Sequence, residues 1–246
     1  VSPEPGPALA LVIPAYNEER RLAASLESVA AFAASHPGGV EVVIVDDGSR
    51  DRTAEIARDF AKGRPAVLVL ANDRNRGKGY SIRRGVLAAS APTVLVSDAD
   101  LSTPLSDAPK LLDRLARMGE GIVIGSRGLR ESNVEVHQNV LRETMGRVFN
   151  LLVRAVTGLP FKDTQCGFKA MTRRAVAPIF ERARVDGFSY DVELLFVAKR
   201  RGIPIEEVPV TWRNAPGSKV GMLTSPLAML RDVLRIRRWH GQGRYD

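Results

Sequence analysis

Asp98-Ala99-Asp100 sets two carboxylates one residue apart, directly after the apolar run Val94-Leu95-Val96. Carboxylates so placed can hold Mg2+ or Mn2+, hard cations that take oxygen ligands and commonly bridge phosphates. Two more polar clusters close apolar runs, Pro14-Ala15-Tyr16-Asn17-Glu18 and Asp46-Asp47-Gly48-Ser49. Tyr16 can stack on a base, and Asp46 or Asp47 can accept hydrogen bonds from a pyrimidine N–H or from ribose hydroxyls. Each cluster alone has a plainer reading: a solvated loop at 98–100, a helix cap at Asn17-Glu18, a turn at Asp47-Gly48. All three at successive strand ends point to one site. Gly77-Lys78-Gly79 fits neither common nucleotide motif. A dinucleotide fingerprint needs Gly where Ile82 stands, and a phosphate loop needs Gly at Asn72 and Ser or Thr at Gly79. Cys166 reads as a packing residue, and His36, His137 and His240 lack ligand spacing.

The elements that must position these groups follow from periodicity. Short apolar runs at Ala8–Ile13, Val40–Val45, Ala66–Ala71, Thr93–Ser97 and Gly121–Gly125 read as buried strands. Between them, residues 18–35, 52–61, 78–89 and 107–118 carry helical patterns. Strand–helix alternation of this kind predicts an α/β, doubly wound parallel sheet with helices on both faces, its strand ends along one edge. Further on, Val140–Val156 predicts a long helix with Leu141, Met145, Val148, Phe149 and Leu152 inward. Asp163–Lys169 reads as a polar loop, Tyr190–Arg201 as a helix, Ile205–Trp212 as one strand and 214–224 as a loop. In Leu227–Trp239, Leu227, Leu230, Val233, Leu234 and Ile236 interleave with Arg231, Arg235, Arg237 and Arg238. No repeat or linker divides the chain. The reading is one domain over 1–225, with a nucleotide half at about 8–125 and an acceptor half at about 126–225, followed by a basic amphipathic helix and tail at 226–246.

Composition narrows the function. The chain has 246 residues, 44% hydrophobic and 26% charged, with one Cys and a mean hydropathy of -0.10. That suits a soluble α/β protein, gives no intrachain disulfide and excludes disorder, collagen and coiled coil. No apolar stretch reaches the ~18–20 residues of a membrane span. No secretory signal opens the chain, and Val1 in place of Met reads as a processed or trimmed start. Net charge is +8, unevenly placed. Residues 1–120 hold 15 basic and 16 acidic side chains, and residues 121–246 hold 21 and 12. A basic second half suits an anionic substrate, an anionic membrane or nucleic acid.

Five motifs occur in the order and spacing of glycosyltransferase family 2, which the chain resembles from about residue 8 to 222. They are Pro14–Glu18, Val45–Ser49, Asn75-Arg76-Gly77-Lys78-Gly79, Asp98–Asp100 and Gly125-Ser126-Arg127. Asp163–Lys169 and Phe188–Leu195 resemble the polyprenyl-phosphate branch, nearest to its dolichyl-phosphate β-glucosyltransferases. The resemblance implies a GT-A fold, a nucleoside-diphosphate sugar donor and inverting transfer. It assigns Pro14, Tyr16, Glu18 and Asp47 to the nucleoside, with Gly77 and Lys78 beside it. Asp98 and Asp100 become metal ligands for Mg2+ or Mn2+. Ser102 stands where mannose-transferring relatives usually offer Gln. Arg127, Arg142, Arg213, Ser218 and Lys219 match positions around the diphosphate and the acceptor phosphate.

Loss of a nucleoside diphosphate from an anomeric carbon builds negative charge that metal, Arg and Lys can stabilise. A lipid monophosphate acceptor is already anionic and needs no general base. Asp163, Gln165, Asp191 and Glu193 would then orient groups, and one would act as base for a hydroxyl acceptor. The leading expectation is glucose transfer from UDP-glucose to a polyprenyl phosphate, by a cytoplasmic protein meeting a membrane peripherally through Leu227–Trp239 and its interfacial Trp239. A GDP-mannose donor or hydroxyl acceptor is the runner-up. A nucleic-acid-binding protein is the reading from another class, but it lacks basic strands studded with aromatics or a recognition helix. A non-catalytic sugar-nucleotide sensor is disfavoured by the retained carboxylates.

Overall fold

A computed structural model describes residues 6–136, 140–213 and 224–245. Among the described residues, nine strands and eight α-helices follow one another: β1 (Leu9–Ala15), α1 (Leu22–Ser35), β2 (Val40–Asp46), α2 (Thr53–Ala61), β3 (Val67–Ala71), α3 (Lys78–Ala88), β4 (Thr93–Val96), α4 (Ala108–Met118), β5 (Ile122–Ser126), β6 (Asn133–Val136), α5 (Val140–Thr157), β7 (Lys169–Thr172), α6 (Arg173–Arg182), α7 (Tyr190–Arg200), β8 (Ile205–Pro209), β9 (Thr211–Arg213) and α8 (Thr224–Gly241). Seven strands form the main sheet in the order β3-β2-β1-β4-β7-β5-β8, and β6 pairs with β9 apart from it.

The runs at β1, β2, β4 and β5 become strands largely buried on both faces, as strands covered by helices must be, whereas β3, at the edge of the sheet, is only half-buried, with Leu68 37% exposed. Ala10 and Val12 of β1 join one core cluster with Ile82, Val86, Val192 and Leu195. Leu9, Leu11 and Ile13 join the other with Leu22, Leu26, Leu111 and Leu115. Helices therefore cover both faces of a mostly parallel sheet, as expected.

The second half departs from expectation. β7 lies antiparallel between β4 and β5, so the fifth strand does not simply extend the parallel series. Asp163–Lys169 is no solvated loop: Asp163, Thr164, Cys166, Phe168 and Lys169 are buried because they lead into this central strand. The expected strand Ile205–Trp212 splits, with β8 on β5 and β9 on β6. Among the described side chains of α5, Phe149, Val153 and Thr157 are buried, while Leu152 is 42% exposed. That register corrects the inward assignment of Leu152. Leu141, Met145 and Val148 lie outside the described side chains, as does Leu227.

On α8, Met229, Val233 and Ile236 pack into the core, whereas Leu234 is exposed. Arg231, Arg235, Arg237 and Arg238 face outward. Much of the apolar stripe expected at a membrane is thus committed to the protein. Among the described residues, no helix is long and apolar enough to cross a membrane.

Candidate active site

Parallel pairing of β2, β1 and β4 carries their carboxyl ends to one edge, and the polar motifs meet there. The Asp47 amide donates to Ala15 O at 2.8 Å, and Ser97 N–H to Val12 O at 3.0 Å. Asn17 and Glu18 do not cap α1, which begins only at Leu22 with no capping side chain. Their amides instead donate to Ser49 Oγ (2.9 Å) and Thr53 Oγ1 (2.6 Å), knitting the first motif to the second. Pro14 and Tyr16 are half-buried beside them.

Asp46 and Asp47 are both buried but differ in use. Asp47 Oδ1 accepts from Arg76 N–H and from Asn72 Nδ2, both at 2.8 Å. Its Oδ2 accepts from Gly77 N–H at 2.8 Å. Asp47 therefore shapes the turn that delivers Gly77 and Lys78 to the start of α3. Asp46 Oδ2 accepts weakly from Ser49 N–H at 3.3 Å. Asp46 Oδ1 has no hydrogen-bond partner among the described residues, a costly state for a buried acceptor that points to a ligand donor.

Asp98 and Asp100 follow β4, and cations attend both. Lys78 Nζ lies 2.5 Å from Asp98 Oδ1, and Arg21 lies 3.7 Å from Asp100 Oδ2 while also gripping Glu18. Burial opposes ionisation of Asp98, but Lys78, Lys169 and Arg127 outweigh it and hold its pKa below the usual carboxylate range. Asp100 Oδ1 accepts from Ser102 N–H at 3.0 Å. Gly167 backs against Asp98, where a Cβ would run into the Asp98 carboxylate. The Cys166-Gly167 pair thus brings the second half of the chain onto the first.

Behind this front lie two further ion pairs. Arg127 clasps Asp163 through Nε at 2.6 Å and a second guanidinium nitrogen at 2.9 Å, with its cation 5.5 Å from the Trp212 ring centre. Despite burial, Arg127 lowers the Asp163 pKa to about 2. Lys169 Nζ sits 2.5 Å from Asp191 Oδ1, with both side chains almost wholly buried. Burial raises the Asp191 pKa, against the pull of Lys169 and Lys78. Gln165 is half-buried, its N–H donating to Asp163 Oδ1 at 3.2 Å.

Asp98, Asp100, Asp163 and Asp191 are thus set against Lys78, Arg21, Arg127 and Lys169. Two hard carboxylates one residue apart, each reachable by solvent, fit a Mg2+ or Mn2+ ion that keeps water or phosphate in its remaining positions. Among the described residues, no group of three His, Cys, Asp or Glu forms a fuller cage.

Other expected site residues stand apart. Arg213 is exposed and pairs with Glu135, although its N–H donates to Ser102 O at 2.8 Å beside Asp100. Glu193 orients no group at the front, since its carboxylate binds Arg184 N–H, Val185 N–H and Tyr245. Ser218, Lys219 and the side chain of Arg142 lie outside the described residues. Sequence reasoning missed Arg21 and Lys169. A Lys opening the otherwise apolar segment Lys169-Ala170-Met171 was the available signal for the second.

The glycosyl transferase family 2 model matches residues 10–180. A dolichyl-phosphate β-glucosyltransferase of Dictyostelium discoideum is 34% identical over 93% of this chain and 73% of its own. One from Drosophila melanogaster is 36% identical over 93% and 74%. Among solved structures, glucosyl-3-phosphoglycerate synthase from Mycobacterium tuberculosis, in complex with Mn2+, UDP and glucosyl-3-phosphoglycerate, superposes with a TM-score of 0.68. That match has 22% identity and covers 94% of this chain and 79% of the other.

Proposed function

The chain belongs to glycosyltransferase family 2 and has its GT-A fold, and from that premise we propose inverting transfer of glucose from UDP-glucose to a polyprenyl, dolichyl-type phosphate. The observation that carries the reading is the Asp98–Asp100 pair at the end of β4, ringed by Lys78, Lys169 and Arg127. The named activity of the relatives supports glucose and the lipid phosphate.

In this reading the uridine lies along Pro14, Tyr16 and Glu18, with the unpaired Asp46 Oδ1 ready for a donor. Asp47 holds the Gly77-Lys78 turn in place. Asp98 and Asp100 would hold Mg2+ or Mn2+, which when bound neutralises charge on the leaving diphosphate. Lys78 leaves Asp98 for the diphosphate, so a cation already at the site turns to the charge that develops. The acceptor phosphate oxygen attacks the anomeric carbon, the bond to UDP breaks, and UDP leaves with the electron pair. No proton need move. Arg127, held by Asp163, faces the phosphates together with Gln165, and Lys169 pairs with Asp191 behind them. Arg142, Ser218 and Lys219 serve the acceptor side, and Arg213, whose N–H holds Ser102 O beside Asp100, joins them by giving up Glu135. Residues 1–225 form the transferase unit, with its halves at about 8–125 and 126–225. Residues 226–246 supply the basic amphipathic helix and tail that meet an anionic membrane on its cytoplasmic face.

The test is incubation with UDP-glucose, GDP-mannose and other nucleotide sugars, with Mg2+, Mn2+ or EDTA. Short polyprenyl phosphates and simple alcohols serve as acceptors, and products are identified by mass. A glucosyl polyprenyl phosphate formed only with metal is expected. Product from GDP-mannose, or on an alcohol alone, would overturn the substrate assignment, and full turnover in EDTA would overturn the metal.

A further inference from the structure

We infer that the segment following α8 positions the start of α3 through a buried relay running from Tyr245 to Glu193, on to the turn at 183–187, and from there to Gly77–Gly79. Tyr245 is 2% exposed, and its hydroxyl donates to Glu193 Oε1 at 2.6 Å. A guanidinium nitrogen of Arg201 donates to the Tyr245 carbonyl and ties this segment to the end of α7. Glu193 is itself 1% exposed. Its carboxylate accepts from Arg184 N–H at 2.9 and 3.1 Å and from Val185 N–H at 2.9 Å. Two successive amides on one carboxylate fix the direction of the turn after α6. A buried acceptor with three donors is a high-stakes arrangement, because each loss leaves an unpaired group behind.

The carbonyls of that turn form the wall behind the first turn of α3. Asp186 O accepts from Tyr80 N–H at 3.1 Å. Gly77, at φ 105°, lies so close to Asp186 O that no side chain fits. A Cβ on Gly79 would fall 2.5 Å from Val185 O and 2.6 Å from Tyr190 Cβ. Arg83 fastens the same turn from the middle of α3, reaching Ala183 O at 3.0 Å and Asp186 at 2.7 Å. On its other side the Gly77 amide is held by Asp47. The segment carrying Lys78 is therefore clamped between two buried carboxylates, Asp47 just after β2 and Glu193 from α7, and Tyr245 completes the second clamp. Glu193 and Tyr245 touch none of the groups around Asp98. They are positioning residues for Lys78, and the consequence for donor binding rests on the proposed function.

The experiment compares wild type with Tyr245→Phe, Glu193→Gln and Val29→Ala. The last loosens the core behind α1 on the opposite face of the sheet and serves as a stability-matched control. Hydrogen exchange over 77–81 and 184–187 is read first, without ligand, and then UDP affinity by calorimetry. Loss of one buried hydrogen bond corresponds to roughly three- to tenfold. In Tyr245→Phe, exchange of the Tyr80 and Val185 amides should quicken by about that factor, and UDP should bind several-fold more weakly. Glu193→Gln keeps an oxygen for the two amides and should fall between the variant and wild type. Val29→Ala should lower the melting temperature with both readings unchanged. Unchanged exchange at Tyr80 in Tyr245→Phe, or equal quickening in Val29→Ala, would overturn the relay. Faster exchange in a protein whose wild type binds no UDP would sustain the relay and overturn the donor assignment instead.

Discussion

Lys78→Met should tighten Mn2+ binding to the nucleotide-free protein while weakening UDP. In the free protein Lys78 Nζ sits 2.5 Å from Asp98 Oδ1, on an oxygen the metal requires, with side chains 22% and 34% exposed. At an effective dielectric near 20, a pair at that separation attracts by roughly 6–7 kcal/mol. Water reaches both groups, so the attraction that a metal must displace is discounted to about 1–2 kcal/mol. That corresponds to roughly five- to thirtyfold in affinity. Met matches the length of the Lys stem and keeps its packing, so charge is the main change. Mn2+ would be titrated without nucleotide and followed by paramagnetic resonance of the free ion. UDP would then be titrated at saturating Mn2+. Asp98→Asn serves as the reference that loses the ion. Mn2+ affinity of Lys78→Met equal to or below wild type, with Asp98→Asn still losing the ion, would refute the competition and the assignment of Asp98 as a ligand that Lys78 guards.

Asp163→Asn should cost about 2 kcal/mol at pH 7, the ~2-unit pKa drop discounted for the part of Arg127 that water reaches. Because the folded pKa of about 2 lies below the ~3.9 of an unfolded Asp, that stability is complete above about pH 4 and is lost as pH falls through 2. Urea melts at pH 7 and pH 3 check this, and a gap that does not shrink at pH 3 refutes it. Gly167→Ala should push the Asp98 carboxylate aside and weaken Mn2+ at least tenfold with little loss of secondary structure, as titration and circular dichroism would show. Replacing Arg235, Arg237 and Arg238 by Ser should abolish salt-sensitive pelleting with anionic vesicles, at about 1 kcal/mol per charge. Equal pelleting of wild type and variant would leave α8 a purely structural helix.

Much of the first half was legible because local pattern and global fold agree there. The runs at β1, β2 and β4 are apolar enough to be strands buried on both faces. Alternation with helices dictates parallel pairing, and parallel pairing puts the polar strand ends together. That reasoning places Asp98 and Asp100, Asp46 and Asp47, and Pro14–Glu18 along one sheet edge, where the structure has them. The helix at 18–35 began late because Asn17 and Glu18 serve the neighbouring loop at Ser49 and Thr53, a partner 32 or more residues away. Strand β7 was hidden because Lys169-Ala170-Met171-Thr172 opens on a charge. Asp191, brought in from the start of α7, and the Cys166 carbonyl together let that charge be buried. Likewise Glu193 reads as a site carboxylate in the sequence. The structure turns it to Arg184, Val185 and Tyr245, since a buried carboxylate goes where donors satisfy it. Sequence pattern determines which residues must leave water. Which buried charge meets which partner is set by long-range packing, for that choice depends on desolvation and hydrogen bonding among groups far apart along the chain.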